Sequence, residues 1–527
     1  MKKAIVFFGF LFSVCKIYSQ DLPIVWGEFQ KTTGNLVEII PKNNLSYVTL
    51  RWSGGNTFGS YKFENYENLS FLEQKKVKLN TLSGIGTFET AYFFGGKICV
   101  FLSDYANSNM MLFIQKYDDY LDPEEEPQLL ADYENNKFNS KPNFQIVTSN
   151  NNKFLSIFWQ IPGKSTQSDS YGYKIFNSNF EEIQAGEYAI PIDGNLTIIN
   201  NYHLTNQGAC LISLTEYTKS VDRLFADNSQ NFKAVHIYKL KNNVLSEFSL
   251  NLEGIRVEEF SLNSNDSSTY SLIGVYSKGN MRSVTGICSL QIDAINDTIR
   301  SSGFIPLTIE SGGDIWDDDS QIMRQNFGRT INSYNSDRYN YRLRDVFIQN
   351  DGSILASVEQ YYMYRRVNVD NRSGVSNSIN YYYYDDIIAF KINSKNNLDW
   401  EKRIKKSQVS VNDQGYYSSY SSFVKDTSLC FIFNDNSLNY DDFGAYVKEN
   451  SKPISHSFMR QRNASALVQT DCKNGNTSRT TFISKSELDG ILIPKMFVLN
   501  TASNELLIVA NQGFKEKFGL LKLNSKK

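Results

Sequence analysis

From Val25 onward, apolar positions come in short runs, some alternating with polar residues and some unbroken, and most runs stop at Asn, Asp or Gly. β-Branched and aromatic residues dominate these runs, the pattern of strands separated by tight turns. No long segment keeps the three-to-four spacing of an amphipathic helix. The strands recur as pairs of hairpins. The first hairpin of a pair holds two apolar strands, as in Val346–Val358 with Asn350-Asp351-Gly352 at its tip. The second alternates, as in Ile387–Trp400, where Asn393–Asn397 turns the chain. First hairpins begin near Gly34, Thr87, Asn143, Leu196, Arg256, Leu343, Ser418 and Leu492, and second hairpins near Thr57, Met110, Tyr171, Phe232, Ser283, Asp385 and Ala466.

The last unit has a single further strand, Phe518–Leu523, and Ile24–Phe29, ahead of the first complete unit, is free to partner it. The pattern predicts an all-β fold, a β-propeller of eight four-stranded blades closed by pairing of the N- and C-terminal strands. Radial stacking lets one domain, residues 20–527, outgrow the usual ~300-residue core. Closing the ring also removes the open sheet end of a linear stack. Seven blades, or a pair of β-sandwich domains, are the competing architectures.

One blade carries a resemblance. From Asp386 the stretch DIIAFKINSKNNLDWEKR runs as an alternating strand, a polar turn and a strand ending in Trp400. It resembles the repeats of quinoprotein and outer-membrane-assembly lipoprotein propellers. The resemblance covers this blade alone and implies the fold only. The other blades lack the tryptophan, so no quinone is implied, and no cofactor is expected.

The chain opens with Met1-Lys2-Lys3, an apolar run from Ala4 to Val14, and the small residue Ser19. That is the layout of a secretory signal peptide, 1–19, and the apolar run is too short to span a bilayer. Lipidation at Cys15 is disfavoured because Val14 stands where such a signal wants a small residue. The chain has 54 Lys and Arg against 56 Asp and Glu, a net −2, and removing Lys2, Lys3 and Lys16 makes it more acidic. No basic excess is left for nucleic acid. Three histidines in the whole chain exclude a multi-histidine metal centre. Cys99, Cys210, Cys288, Cys430 and Cys472 follow the signal, odd in number and without metal spacing, in strand-like surroundings. They are expected as buried free thiols.

Four long insertions, 308–342, 366–384, 405–417 and 440–464, all fall between hairpins. In a propeller such links share one face, opposite the turns within hairpins, so the insertions should crowd that face over neighbouring blades. Long loops are uncommon unless functional or disordered. Their candidate binding residues are Trp316, Tyr334, Arg338, Tyr339, Arg342, Arg366, Tyr381, Tyr382, Tyr383, Tyr384, Tyr440, Phe443, Arg460 and Arg462. Tyr, Trp and Arg are the anchors of protein interfaces. They also stack on sugars, so composition alone does not separate protein from glycan. A solvated, merely decorative surface is the plainer alternative.

Catalytic signatures are missing: there is no GxSxG, HExxH, P-loop or dinucleotide fingerprint. Asp314, Asp317 and Asp319 are weak candidates for a hard cation, because their spacing departs from a calcium loop. A glycosidase needs two facing carboxylates, and sequence cannot pair Asp314, Glu359, Asp385, Asp413 and Asp441. His203, His236 and His456 are expected to be structural. The expectation is an exported, non-catalytic scaffold with a protein partner, not membrane-spanning and periplasmic. It would be an accessory or plug subunit of an outer-membrane protein translocon, since no C-terminal sorting domain remains after the closing strand. A secreted or cell-surface glycan-binding protein or glycoside hydrolase using the same face is the alternative.

Overall fold

The computed structural model describes residues 22–523 except 43–45, 56–58, 135–143, 162–168, 191, 220–230, 243, 250–253, 265–268, 279–283, 308–339, 370–375, 448–451, 457–459, 484 and 501–503. The expected signal peptide, Trp316, Tyr334, Arg338, Tyr339, Asp314, Asp317 and Asp319 therefore lie outside the described residues.

The strands form eight sheets in chain order, each antiparallel in its four core strands. The first strands are Asn35–Pro41, Thr87–Phe94, Phe144–Thr148, Thr197–Leu204, Ile255–Ser264, Asn340–Ile348 and Tyr420–Lys425, followed in the eighth sheet by Ile491–Leu492 and Val498–Asn500. In several neighbouring blades the first strands approach one another, so they line the axis and the fourth strands form the rim. The eighth blade takes its rim strand from the other end of the chain: Ile24–Trp26 pairs antiparallel with Leu521–Gly519, and Gln30–Lys31 with Glu516–Lys515. The chain is an eight-bladed propeller closed by its two terminal strands.

The apolar pattern explains the ring. Middle strands such as KICVFL are unbroken runs because both faces are covered by neighbouring blades. In that strand Cys99 and Phe101 face the third blade, while Ile98, Val100 and Leu102 face the first. Every one of the eight blade interfaces holds an apolar cluster, that between blades three and four two of them, and the closing one joins blade eight to blade one through Phe518, Val509, Tyr47 and Leu36. This excludes both seven blades and two sandwiches. At the closing seam, buried Arg51 of blade one bridges Glu64 of its own blade and, at 2.9 Å, Glu516 of blade eight. Thr33, Thr49 and Tyr66 donate to Glu64 as well.

Trp400 packs its ring against Gly475 and donates its indole N–H to the Cys472 carbonyl at 3.1 Å, tying blade six to blade seven. The five cysteines among the described residues are free thiols, and only Cys472 is less than fully buried. Among the described residues no helix is long and apolar enough to cross a membrane.

Candidate functional site

The insertion expected as a loop over 366–384 is mostly strand. The second and third strands of blade six continue past the blade as one long hairpin, Ile354–Val369 against Ser376–Ile392, with Tyr361 opposite Tyr384 and Val369 opposite Ser376. β-Branched and aromatic residues on both arms favour this extension. The 405–417 insertion adds the strand Gln408–Val411 alongside Tyr384–Tyr381, and the 440–464 insertion adds Ile454–Ser455, parallel to Gln408–Val409. Three insertions from two blades thus fold into one accessory sheet on the link face.

That sheet has its own small core. Tyr362, Tyr381, Tyr383 and Val409 are buried together, with Tyr364, Ile379 and Val411 packed against them. Cross-strand rings meet at 5.9 Å for Tyr362 and Tyr383 and 6.1 Å for Tyr364 and Tyr381. Met363, Arg365 and Val367 stand exposed on the ribbon, and Tyr382, across from Met363, is half-buried. Of the candidate contacts, Tyr381, Tyr383, Tyr384 and Tyr440 are buried and so do not present open rings. Tyr440 is structural: its hydroxyl donates to Asp435 and accepts from Arg479. Arg366 is half-buried on the ribbon, Arg462 is exposed, and Phe443 is 97% exposed at a turn closed by Asp441. Arg460 falls in a short 3-10 turn, Arg460–Arg462, and its side chain lies outside the described residues.

Beneath the accessory sheet lies a charge network that sequence reasoning did not assemble. Glu359 is fully buried and accepts from Lys406 at 2.9 Å, from Arg344 at 2.7 Å and from Ser419 at 2.7 Å. Burial alone would raise the Glu359 carboxyl, but Lys406 and Arg344 outweigh it and hold it below the usual range. Lys406 also donates to the Tyr384 carbonyl and to Gln408, so the network pins the base of the accessory sheet to the blade. Glu359 is therefore neutralised and is no free carboxylate for catalysis. Asp385 accepts from Ser407, and Asp413 and Asp441 cap turns.

Two cations stand beside this network. Arg342 lies over the Tyr361 ring at 3.5 Å, and Lys495 lies over the Tyr384 ring at 4.2 Å. The two tyrosines pack against each other with centroids 5.0 Å apart. Lys495 projects from a 3-10 turn, Pro494–Met496, that interrupts the axial strand of blade eight. Its ammonium donates to the Tyr384 hydroxyl at 2.7 Å and to the Gln414 carbonyl at 3.1 Å. Burial, then Arg344 and Arg342, push the Lys495 ammonium down to about 8, against the opposing pull of Glu359 and Asp413. Gly415 makes room for the ring: it has φ +71, and a Cβ there would stand 2.3 Å from Tyr384.

Other axial strands bulge at a corresponding place, between Leu36 and Glu38, Phe88 and Thr90, Ile199 and Asn201, Val257 and Glu259, and Leu343 and Val346. A bulge re-aims side chains off the regular pleat. Burial pushes Glu38 up to about 7 and also raises Glu89, Glu259 and Asp345. Asp345 remains exposed by area, the position of a group that borders water while surrounded by protein. At the opposite end of the axis, turns of blades one to three and Leu499–Asn500 of blade eight enclose a hollow of about 560 Å³. Among the described residues no group of three or more His, Cys, Asp or Glu could hold a metal ion. His203 bonds Ser264, and His236 sits between Glu216 and Glu247.

No family model matches the chain, and no curated protein matches it in sequence. Among solved structures it is similar to the WD40 domain of SCAP from fission yeast, at 9% identity over 96% of this chain and 99% of that one, with a TM-score of 0.36. It is also similar to the β-propeller domain of the Trilobed protease from Pyrococcus furiosus, at 7% identity over 85% and 98%, TM-score 0.35. A third is an ulvan lyase, a polysaccharide lyase, at 7% identity over 80% and 91%, TM-score 0.34. At these scores the likenesses carry no function across, and the propeller rests on the eight sheets and their eight interfaces.

Proposed function

We propose that this chain is a non-catalytic binding propeller that takes a protein partner on its link face. One observation carries the reading: insertions from two blades are built into a single accessory sheet with its own aromatic core and a buried charge network at its base. Ordering so much chain where short links would close the blades is the mark of a recognition surface on a rigid scaffold. The exposed Met363, Arg365, Val367 and Phe443 are its contact residues. With the signal-like N-terminus, the reading extends to a periplasmic accessory of an outer-membrane translocon.

The test replaces Tyr362–Tyr383 by Asn-Gly, so that the paired Tyr361 and Tyr384 flank a two-residue hairpin turn. Full-length and shortened chains, tagged and at native level, are purified from gently solubilised envelopes. A stoichiometric outer-membrane protein should come with the first and be lost from the second. Equal recovery, or no partner with either, overturns the reading.

One observation favours glycoside hydrolysis as a second reading. Glu38 lines the axis with its carboxyl pushed up to about 7, where an acid keeps its proton near neutrality. If that reading holds, the chain cleaves a member of a polysaccharide panel and Glu38→Gln abolishes the cleavage. No cleavage across the panel sinks it.

A further inference from the structure

Arg342 and Lys495 differ from the other cations around them. Lys406 and Arg344 share Glu359, whereas neither Arg342 nor Lys495 has a carboxylate partner among the described residues. Each instead rests on one ring of the tilted Tyr361–Tyr384 pair. Four charged groups bear on Lys495: Arg344 and Arg342 oppose its charge, while Glu359 and Asp413 favour it. Glu359 is already committed to Lys406 and Arg344, and Asp413 accepts from the Gly415 N–H. Glu259 stands near Arg342 and Arg344, and Asp345 near Arg344, but burial favours the neutral form of both, so the place leans positive and carries one cationic donor over each tyrosine ring. Lys495 is exposed by area although protein crowds its ammonium, which spends two N–H groups on Tyr384 and Gln414, and Arg342 is half-buried, so each reaches solvent along one side.

The geometry points to a carboxylate-binding site, held by Arg342 and Lys495 at the foot of the accessory sheet, that takes an acidic peptide segment of the partner. This rests on the link-face docking reading and names the chemistry it would use. Acidic side chains of one segment entering here would meet a guanidinium at one ring and an ammonium at the other and form charge-assisted hydrogen bonds. A peptide fits better than an acidic sugar because both tyrosines are buried, each with a cation over one face, and offer no open ring for a sugar to stack on.

The full chain is titrated with fluorescein-labelled hexaglutamate by anisotropy, alongside hexaglutamine and a galacturonate tetramer. Hexaglutamate should bind, hexaglutamine should not, and added salt should weaken the complex. Arg342→Gln and Lys495→Met should each weaken it by about tenfold or more. In the unaltered chain, bound hexaglutamate should slow acetylation of Lys495, mapped by mass spectrometry, which needs no variant to fold. Absence of binding, unchanged affinity in both variants, or no protection of Lys495 overturns the site. Tighter binding of galacturonate than of hexaglutamate overturns the peptide assignment. If the envelope partner is lost with the shortened ribbon but kept by Arg342→Gln/Lys495→Met, the docking reading stands and this one falls.

Discussion

Glu359 and Glu38 are both carboxylates on strands near the axis, yet their surroundings drive them in opposite directions. Glu359 gains Lys406, Arg344 and Ser419, so its ionised form is favoured in the folded chain. A depressed carboxyl stabilises the fold at pH values above its unfolded pKa, and that stability is lost as pH falls through the folded value. Glu359→Ala should therefore cost about 3–5 kcal/mol near neutrality, since it strands a fully buried lysine, and less in acid. Urea unfolding at two pH values measures both. Glu38 has burial without a compensating cation, and its pKa rises from 4.5 to about 7. Its contribution is present below the lower value and lost as pH climbs through the upper one. Glu38→Gln should match the parent near pH 4 and exceed it by about 1–3 kcal/mol near pH 8. Equal difference at both pH values would show that the carboxyl is not perturbed.

At the scale of elements, the blade-six ribbon is the departure from a plain propeller. Its core of Tyr362, Tyr381, Tyr383 and Val409 is separate from the clusters between blades. Exchanging Tyr362–Tyr383 for Asn-Gly should therefore leave the melting temperature within a few degrees of the parent, because interface burial is untouched. A collapse in melting temperature would mean that the ribbon is part of the blade. Gly415→Val should act at the base instead: the added side chain meets Tyr384 and must displace the ring on which Lys495 rests. Lys495 acetylation kinetics should then change while the far-UV spectrum does not.

At the scale of the molecule, stability rests on closure. The apolar clusters join neighbouring blades only, and the one reach beyond a neighbour described above is that of Lys495 to Tyr384, so the seam between blades eight and one decides whether the ring is a cooperative unit. Arg51 sits there with two buried carboxylates, and Arg51→Met leaves both without their cation. A loss of about 3–5 kcal/mol is expected near neutrality, smaller in acid because the parent itself loses the stability of the depressed Glu64 carboxyl as pH falls. Hydrogen exchange should accelerate first in Ile24–Trp26 and Lys515–Lys522, the paired terminal strands. Uniform acceleration around the ring would mean that the seam is no weaker than the other interfaces.

Strand identity, hairpin order and blade count were legible in the sequence because they depend on local alternation and turn chemistry, as KICVFL and Asn350-Asp351-Gly352 illustrate. The common face shared by the insertions 366–384, 405–417 and 440–464 followed from the same counting, while that at 308–342 falls almost wholly outside the described residues. Burial of Tyr381, Tyr383 and Tyr384 did not, because an aromatic run reads alike whether it faces solvent or a neighbouring strand. Lys495 left a faint trace as the one charge inside Ile491–Phe497, and Glu359 as a lone acid in ILASVEQYY. Their meeting with Arg342, Lys406 and Tyr384 spans up to 153 residues of chain between Arg342 and Lys495. Pattern reports each residue's near neighbours along the chain. Only ring closure sets which distant charges share the axis, and so which are neutralised and which are left to receive a ligand.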